Sequence, residues 1–595
     1  MAHDTRPPTN DSSPHAHASF LYALVLTFAF GGLVLCGFEP HYAGISSYGG
    51  NTDDVRASMF ASGVCVPGGP SDKLLYSNHL IGCGLSSLYV AWPDVPWYGI
   101  YLTGSCLLAH LVIIYAVFRL SNDVRTRLAV ILFVFTFGSH IWVCINFTRV
   151  ACIVAMAGIS LTAGAVIEEA ATQRRTPFYT RLILGWALVA FAGMIRWQAV
   201  QLMGLILAPA MLILARQSWR TVSGPRHLII ASIAILSMFT VESWSQMQLR
   251  SDPGWSAFKE FERPMAHLIN NRRAGPLLYE ADGQSDDTSA TLQSVGWTYN
   301  DAGLFDRWLF IDETVFSTQN VDRVDRELTS YTPSREEWSA SCLHVLKQLI
   351  TQPLLILFAI LAVAMSCESR WATYITCAFL WFTAIVVLTA LHCIETLEPH
   401  VTVPTIAAAL LSTLIIKAGS PTQNECSVSD DTGKPSRAPS FSYCLSRGLL
   451  IGAIGLSAYQ IKEHYSESRL GVRHRPDFMK LVDRLDKGPD HIYLIVLQFP
   501  FHRVSPFDTM EHWKDWHFLY TDGDLRSPRY HAFLKEHNIT DLTTALYSDP
   551  RIRVITIEQN IERLATFVKE HRGIEIGYTK QEIAPITVFQ LHEKP

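Results

Sequence analysis

About eleven apolar runs, each near the length of a membrane crossing, leave this 595-residue chain few ways to fold. A helix needs some 20 residues to traverse roughly 30 Å of hydrocarbon, and there every backbone polar group must be satisfied within the segment. The runs are approximately Phe20–Phe38, Tyr98–Phe118, Leu128–Asn146, Val150–Ile167, Phe178–Ile195, Ala199–Ala215, Leu228–Val241, Ile350–Met365, Ala372–Leu391, Val401–Ile416 and Cys444–Tyr459. Composition agrees, with 17% charged residues, 49% hydrophobic residues and a mean hydropathy of +0.18. The chain reads as a polytopic α-helical membrane protein. A net charge of −5 provides no concentrated basic face for nucleic acid.

The first nineteen residues are polar and lack a basic region followed by a cleavable apolar segment, so Phe20–Phe38 is expected to be a retained anchor behind a disordered cytoplasmic N-terminus, 1–19. Arginines mark alternate connections as cytoplasmic: Arg125 and Arg127, then Arg174, Arg175 and Arg181, then Arg216, Arg220 and Arg226. An odd number of spans puts the C-terminus outside. The same alternation exports the loops 39–97 and 242–347 and the tail 462–595, leaving 417–442, rich in Ser, Pro, Thr and Asp, as a disordered cytoplasmic linker within a transmembrane domain of 20–461. The three largest polar segments therefore face the outer side.

The tail mixes periodicities. Helices are expected over Pro476–Asp486, Ser527–His537 and Glu558–Glu570, and strands over His491–Gln498, Ile552–Ile557 and Ile586–Leu591, which makes a small extracytoplasmic α/β domain. Of twelve cysteines none follows Cys444. No disulfide framework or zinc pattern supports the tail. Cys65 and Cys83 are candidates to pair if their loop meets an oxidising compartment.

Chemistry concentrates in the first outer loop, where Asn51-Thr52-Asp53-Asp54 follows the first span. On a helix adjacent side chains diverge by about 100°, so the two carboxylates are not a dyad by themselves. One is a candidate general base, because partial desolvation at a membrane rim raises a carboxyl pKa; its neighbour orients it or binds substrate. The plainer alternative is an N-cap, since Thr52 or Asp53 ahead of Val55-Arg56-Ala57-Ser58-Met59-Phe60 starts a helix well. Downstream, Leu75 to Tyr89 has the period of an amphipathic helix on the bilayer surface, and Pro96-Trp97 turns the chain into the second span.

This layout of first span, acidic pair, surface helix and aromatic-flanked second span resembles the GT-C superfamily of integral membrane glycosyltransferases. The stretches NTDDVRASMFASG, YSNHLIGCGLSSLY, PDVPWYG, GWTYNDAGLFDRWLFID and GWALVAFAGMIRWQAV also look like those of a poorly characterised group of bacterial multi-pass proteins. The likeness covers most of the chain in layout, but only the acidic pair carries a transferable role. It implies a GT-C-like fold in a bacterial cytoplasmic membrane, a polyprenyl-phosphate-linked sugar as donor, a glycan, lipid or protein hydroxyl as acceptor, inversion at the sugar, and Asp53 or Asp54 as base.

The topology adds two cations on the same side. Arg149 lies in the turn Asn146-Phe147-Thr148-Arg149, and Arg196 in Met194-Ile195-Arg196-Trp197-Gln198. A guanidinium at membrane depth is costly unless an anion meets it, and a lipid-linked phosphate is such an anion. The alternative is an interfacial arginine snorkelling beside Trp197. In the loop 242–347, Trp297, Asn300, Asp301 and Asp312 combine aromatic faces with polar groups in a way that suits sugar; equally, Trp297 and Trp308 pack the loop onto its surroundings. His392, Glu395, Glu398 and His400 match no zinc spacing and read as a solvated turn. No motif names a cofactor, and a divalent metal is left open. Two other functions fit the class: a polymerase or ligase of lipid-linked polysaccharide, and a non-catalytic transporter or assembly partner with an external sensing domain.

Overall fold

The computed structural model describes residues 14–37, 53–64, 67–172, 176–219, 224–272, 274, 286–330, 332–367, 371–419, 441–485, 488, 490–496, 499, 504–509, 513, 516–521, 523, 525–584 and 586–595. The expected N-terminal segment up to 13, Asn51-Thr52, Cys65 and most of the linker 417–442 lie outside them.

Among the described residues the chain opens with ten helices: α1 (Pro14–Gly37), α2 (Asp53–Ser62), α3 (His79–Ala91), α4 (Trp97–Leu120), α5 (Val124–Val143), α6 (Phe147–Thr172), α7 (Thr176–Ile195), α8 (Trp197–Trp219), α9 (Gly224–Arg250) and α10 (Pro253–Asn270). Among the described residues eight helices are long and apolar enough to cross a membrane, and nine if a bent pair counts as one span. Shorter apolar helices at Ala18–Gly32 and Trp197–Ala208 occupy the first and sixth expected spans. The protein is thus a multi-pass helical membrane protein. Phe147–Glu169 in α6 is 89% buried and Pro399–Ala418 is 83% buried, whereas Ile229–Arg250 in α9 is 11% buried; the first two form the centre and α9 the lipid-facing rim.

The expected span Ile350–Met365 is corrected by a break. Helices Arg335–Thr351 and Pro353–Ser366 meet at 84°. Pro353 has no N–H to continue the ladder and forces Gln352 out of the helical region, to ψ 115°. The expected tail helix at Pro476–Asp486 is the end of one 44-residue helix, Phe441–Arg484, which starts among the membrane spans. No boundary at 462 interrupts it.

Beyond that helix, strands β1 (Ile492–Val496), β2 (Phe518–Thr521), β3 (Ile552–Ile555), β4 (Ile576–Ile583) and β5 (Ile586–Glu593) form one sheet in the order β2-β1-β3-β5-β4. β1 pairs in parallel with both β2 and β3, while β5 runs antiparallel between β3 and β4. The run Ile-Tyr-Leu-Ile-Val of β1 is buried throughout, as a strand covered on both faces must be. Helices of the loop 242–347 complete this body: Phe261, Met265 and Leu268 of α10 share a core with Trp297, Phe305, Phe316, Leu494, Val554 and Phe567. Phe258 and Trp255, one and two turns earlier on the same face of α10, belong instead to the larger core that the membrane helices share with Tyr493, Phe518 and Val588 of the sheet. One amphipathic helix therefore pins the sheet unit to the bundle.

The sheet unit rests directly on α2 and the start of α4. Arg529 donates to Ser71 Oγ at 3.0 Å and to the Lys73 carbonyl, with its guanidinium 3.9 Å from the Phe60 ring centroid. At Gly99 a Cβ would come within 1.8 Å of the Pro506 carbonyl oxygen, so only glycine admits the segment 504–509 there. Gly99→Val is expected to lift that segment, lowering stability by about 1–3 kcal/mol and exposing it to protease, while Gly104→Val, with open space around it, leaves both unchanged. Equal melting and proteolysis of the two variants in detergent would remove the contact from the account.

Candidate functional site

The first turn of α2 separates the two aspartates as helical geometry requires. Asp54 points inward and is 0% exposed. Its Oδ1 accepts from Tyr98 Oη at 2.9 Å and from the Phe147 backbone N–H at 3.1 Å, and its Oδ2 accepts from Asn146 Nδ2 at 2.9 Å. Burial pushes its carboxyl well above the usual carboxylate range; the Tyr98 hydroxyl, the Phe147 N–H and the Asn146 amide pull against that, and the neighbouring charge of Asp53 adds to it. Asp53 turns the other way. It pairs with Arg56 one turn on, keeps 12% of its side chain exposed, and so remains reachable where Asp54 is not. The Arg56 guanidinium in turn lies 5.5 Å from the ring centroid of Tyr520, a residue of β2.

The turn into α6 connects this pair with both candidate arginines. Asn146 and Phe147 hold Asp54, and the Phe147 ring stacks on Tyr76 with centroids 5.7 Å apart. The guanidinium of Arg196, in the break between α7 and α8, sits 4.8 Å from the Tyr76 centroid and 5.1 Å from that of Phe147. Arg196 is half-buried and has no acidic partner among the described residues. Arg149 is fully buried two residues past Phe147, where it donates to the Cys144 carbonyl at 2.9 Å. Asp54, Arg149 and Arg196 are thus gathered around one four-residue turn, with Asp53 next to Asp54 in the chain.

The remaining candidates are placed elsewhere, in the body that carries the sheet. Trp297 is buried and donates through Nε1 to the Val315 carbonyl at 2.9 Å. Asn300 donates to the Arg563 carbonyl at 2.9 Å, and Asp301 caps its own helix while facing His571 Nε2 at 3.0 Å. Asp312 accepts from Arg572 at 2.8 Å and from Thr314 and Val315; these hydrogen bonds and the nearby Arg572 charge hold its carboxyl below the usual range, although burial opposes them. Asn300, Asp301 and Asp312 join the loop to the tail, while the hydrogen bond of Trp297 stays within the loop.

Two readings are corrected. His392 is not solvated: it is buried and meets the His344 ring edge-on with centroids 4.1 Å apart, whereas Glu395 and Glu398 of the same turn are exposed. Cys83 is a free thiol rather than a disulfide partner. The residues missed from sequence are Tyr76, Tyr98, Asn146 and Phe147. Only the sharp polar turn at Asn146 between two apolar runs could have flagged any of them.

No protein-family model and no curated protein matches the chain. Among solved structures it is similar to crystal structures of ArnT from Cupriavidus metallidurans: in the apo state at 12% identity and a TM-score of 0.38, and bound to undecaprenyl phosphate at 11% and 0.39. Each alignment covers 96% of this chain and 97% of the other. TM-scores of that size do not establish a shared fold.

Because Asp54 binds its proton more tightly folded than unfolded, the stability it contributes is greatest at acid pH and falls as pH rises from the ordinary carboxylate range through its raised folded value. Asp54→Asn removes that slope. Melting of the detergent-solubilised protein across this range is expected to fall with pH in the wild type relative to the variant; parallel curves would mean that Asp54 titrates normally.

Proposed function

We propose that this chain is a GT-C-type membrane glycosyltransferase, moving a sugar from a polyprenyl-phosphate donor to an acceptor hydroxyl at the outer face of the cytoplasmic membrane, with its N-terminus inside. What supports the reading is that the Asn146–Arg149 turn, which holds Asp54 next to the accessible Asp53, also carries the Phe147 ring on which Arg196 lies, and that the Arg196 guanidinium has no acidic partner among the described residues. Arg196 is the donor-phosphate ligand. Its half-buried guanidinium is flanked by two aromatic rings, and a lipid-linked phosphate is an anion that such a group in a membrane protein pairs with. Arg149 adds positive potential from behind, since its own hydrogen bond to the chain keeps it in place.

Asp53 is the base. Its exposure at the N-terminus of α2 lets it meet an acceptor hydroxyl, whereas Asp54 is enclosed and spends its oxygens on three protein donors. Asp54 is therefore the positioning residue that fixes the first turn of α2 against α4 and α6. The acceptor oxygen loses its proton to Asp53 and attacks the anomeric carbon as the carbon–oxygen bond to phosphate breaks, with the leaving charge met by Arg196. Attack opposite the leaving group inverts the anomeric centre. Phosphate leaves readily, so orientation and electrostatic stabilisation carry much of the rate.

With purified protein in liposomes and a polyprenyl-phosphate sugar, Asp53→Asn is expected to lower kcat by about 10²–10⁴-fold in protein that still folds, with melting lowered by the loss of the ion pair to buried Arg56. Arg196→Gln raises KM for the lipid donor by roughly 10- to 100-fold, the worth of one charge-assisted hydrogen bond. Wild-type turnover by Asp53→Asn would sink the base assignment, and an unchanged KM in Arg196→Gln would sink the phosphate site.

A further inference from the structure

Apart from the aspartate turn, three metal-ligating side chains converge where the segment 71–73 meets the first turns of α3. His79 and Cys83 lie four residues apart, on one face of the helix. Cys83 Sγ is 3.4 Å from His79 Nε2, and Asp72 Oδ2 is 3.8 Å from that nitrogen and 3.9 Å from that sulfur. The Asp72–His79 separation is too long for a hydrogen bond, so the two groups aim at a shared point without bonding to each other.

Those separations are close to the edges of a zinc tetrahedron. Zn²⁺ takes sulfur at about 2.3 Å, imidazole nitrogen at about 2.0–2.1 Å and carboxylate oxygen at about 2.0–2.2 Å, which at tetrahedral angles sets ligand atoms roughly 3.4–3.6 Å apart. Closing on an ion therefore needs side-chain movements of a few tenths of an ångström.

The backbone holds the three groups in register. At Gly82 a Cβ would lie 1.8 Å from the Asp72 carbonyl oxygen, so glycine alone lets Asp72 press against the helix between His79 and Cys83. The flanks are tied down as well: Ser71 N–H donates to the Phe60 carbonyl at 2.9 Å, and Lys73 pairs with Asp252 at 2.8 Å. The His79 backbone N–H donates to Ser245 Oγ at 2.9 Å, and its ring lies 5.5 Å from that of Trp244. Asp72 is 44% exposed, which leaves an entry path.

We propose that Asp72, His79 and Cys83 form a Zn²⁺ site with water as the fourth ligand. A thiolate, an imidazole and one carboxylate suit zinc rather than magnesium or calcium, which take oxygen sets. On binding, the Cys83 S–H bond breaks, its proton passes to solvent and a zinc–sulfur bond forms, while neutral His79 and ionised Asp72 each donate a lone pair. The ion cross-links the segment 71–73 to α3 beside the point where Arg529 of the sheet unit docks on Ser71. This holds whatever reaction the aspartate turn performs.

The test uses the full-length chain in detergent, reduced, stripped with chelator and titrated with Co²⁺. A near-ultraviolet thiolate-to-cobalt charge-transfer band should saturate near one Co²⁺ per chain, bleach with equimolar Zn²⁺ and be absent in Cys83→Ser. His79→Ala and Asp72→Asn should weaken affinity roughly tenfold or more. In the wild type, Zn²⁺ should also slow alkylation of Cys83, read on its own peptide by mass spectrometry, so the outcome does not depend on the variants folding. A wild type without the band, a band unchanged in Cys83→Ser, or Cys83 alkylated equally fast with and without Zn²⁺ overturns the site.

Discussion

A carboxylate withdrawn from water must find donors within the protein, and Asp54 finds three on two separate parts of the chain. Tyr98 comes from the start of α4, Asn146 and Phe147 from the entry to α6. Any movement of α2 away from these elements would leave a buried acid and three donors unmatched, so the short helix is locked. Since successive helical residues diverge, locking Asp54 inward fixes Asp53 outward. The orientation of the accessible aspartate is thus set by the enclosed one.

The same turn sets the place of the cation. Phe147 offers its N–H to Asp54 and its ring to Arg196, and the Arg196 guanidinium shares that ring with Tyr76, which belongs to the segment just before α3. A guanidinium between aromatic faces is held in position while its N–H donors stay available for an anion. Carboxylate and cation are therefore spaced by the backbone of α6, which is the most buried span of the bundle. Rigidity of that kind is what a site for positioning two substrates requires.

The sheet unit is built on this end of the bundle and is part of its architecture. α10 carries one core into the other, Arg529 reaches across to Ser71 and Phe60, and Arg56, the partner of Asp53, faces Tyr520. Polar residues of the loop 242–347 that suggested sugar binding also join that loop to the tail. Asp301 with His571, and Asp312 with Arg572, are cross-links between distant stretches of sequence. Aromatic and acidic residues side by side are as useful for such a seam as for a carbohydrate, and composition alone does not separate the two uses.

The sequence by itself determined that the protein crosses a membrane repeatedly, because a long apolar run is a local property and hydrocarbon tolerates only a helix there. It also placed a helix start at the aspartates and set their side chains apart, since capping preference and the helical repeat act over a few residues. Tertiary structure decided which aspartate is enclosed. The partners of Asp54 lie 44, 92 and 93 residues away, and no periodicity carries information over that distance. It also decided that His392 is buried and that Pro353 ends one helix and begins another at 84° rather than interrupting a straight span. Burial and convergence depend on how the helices pack against one another, so they exist only once the whole bundle has formed.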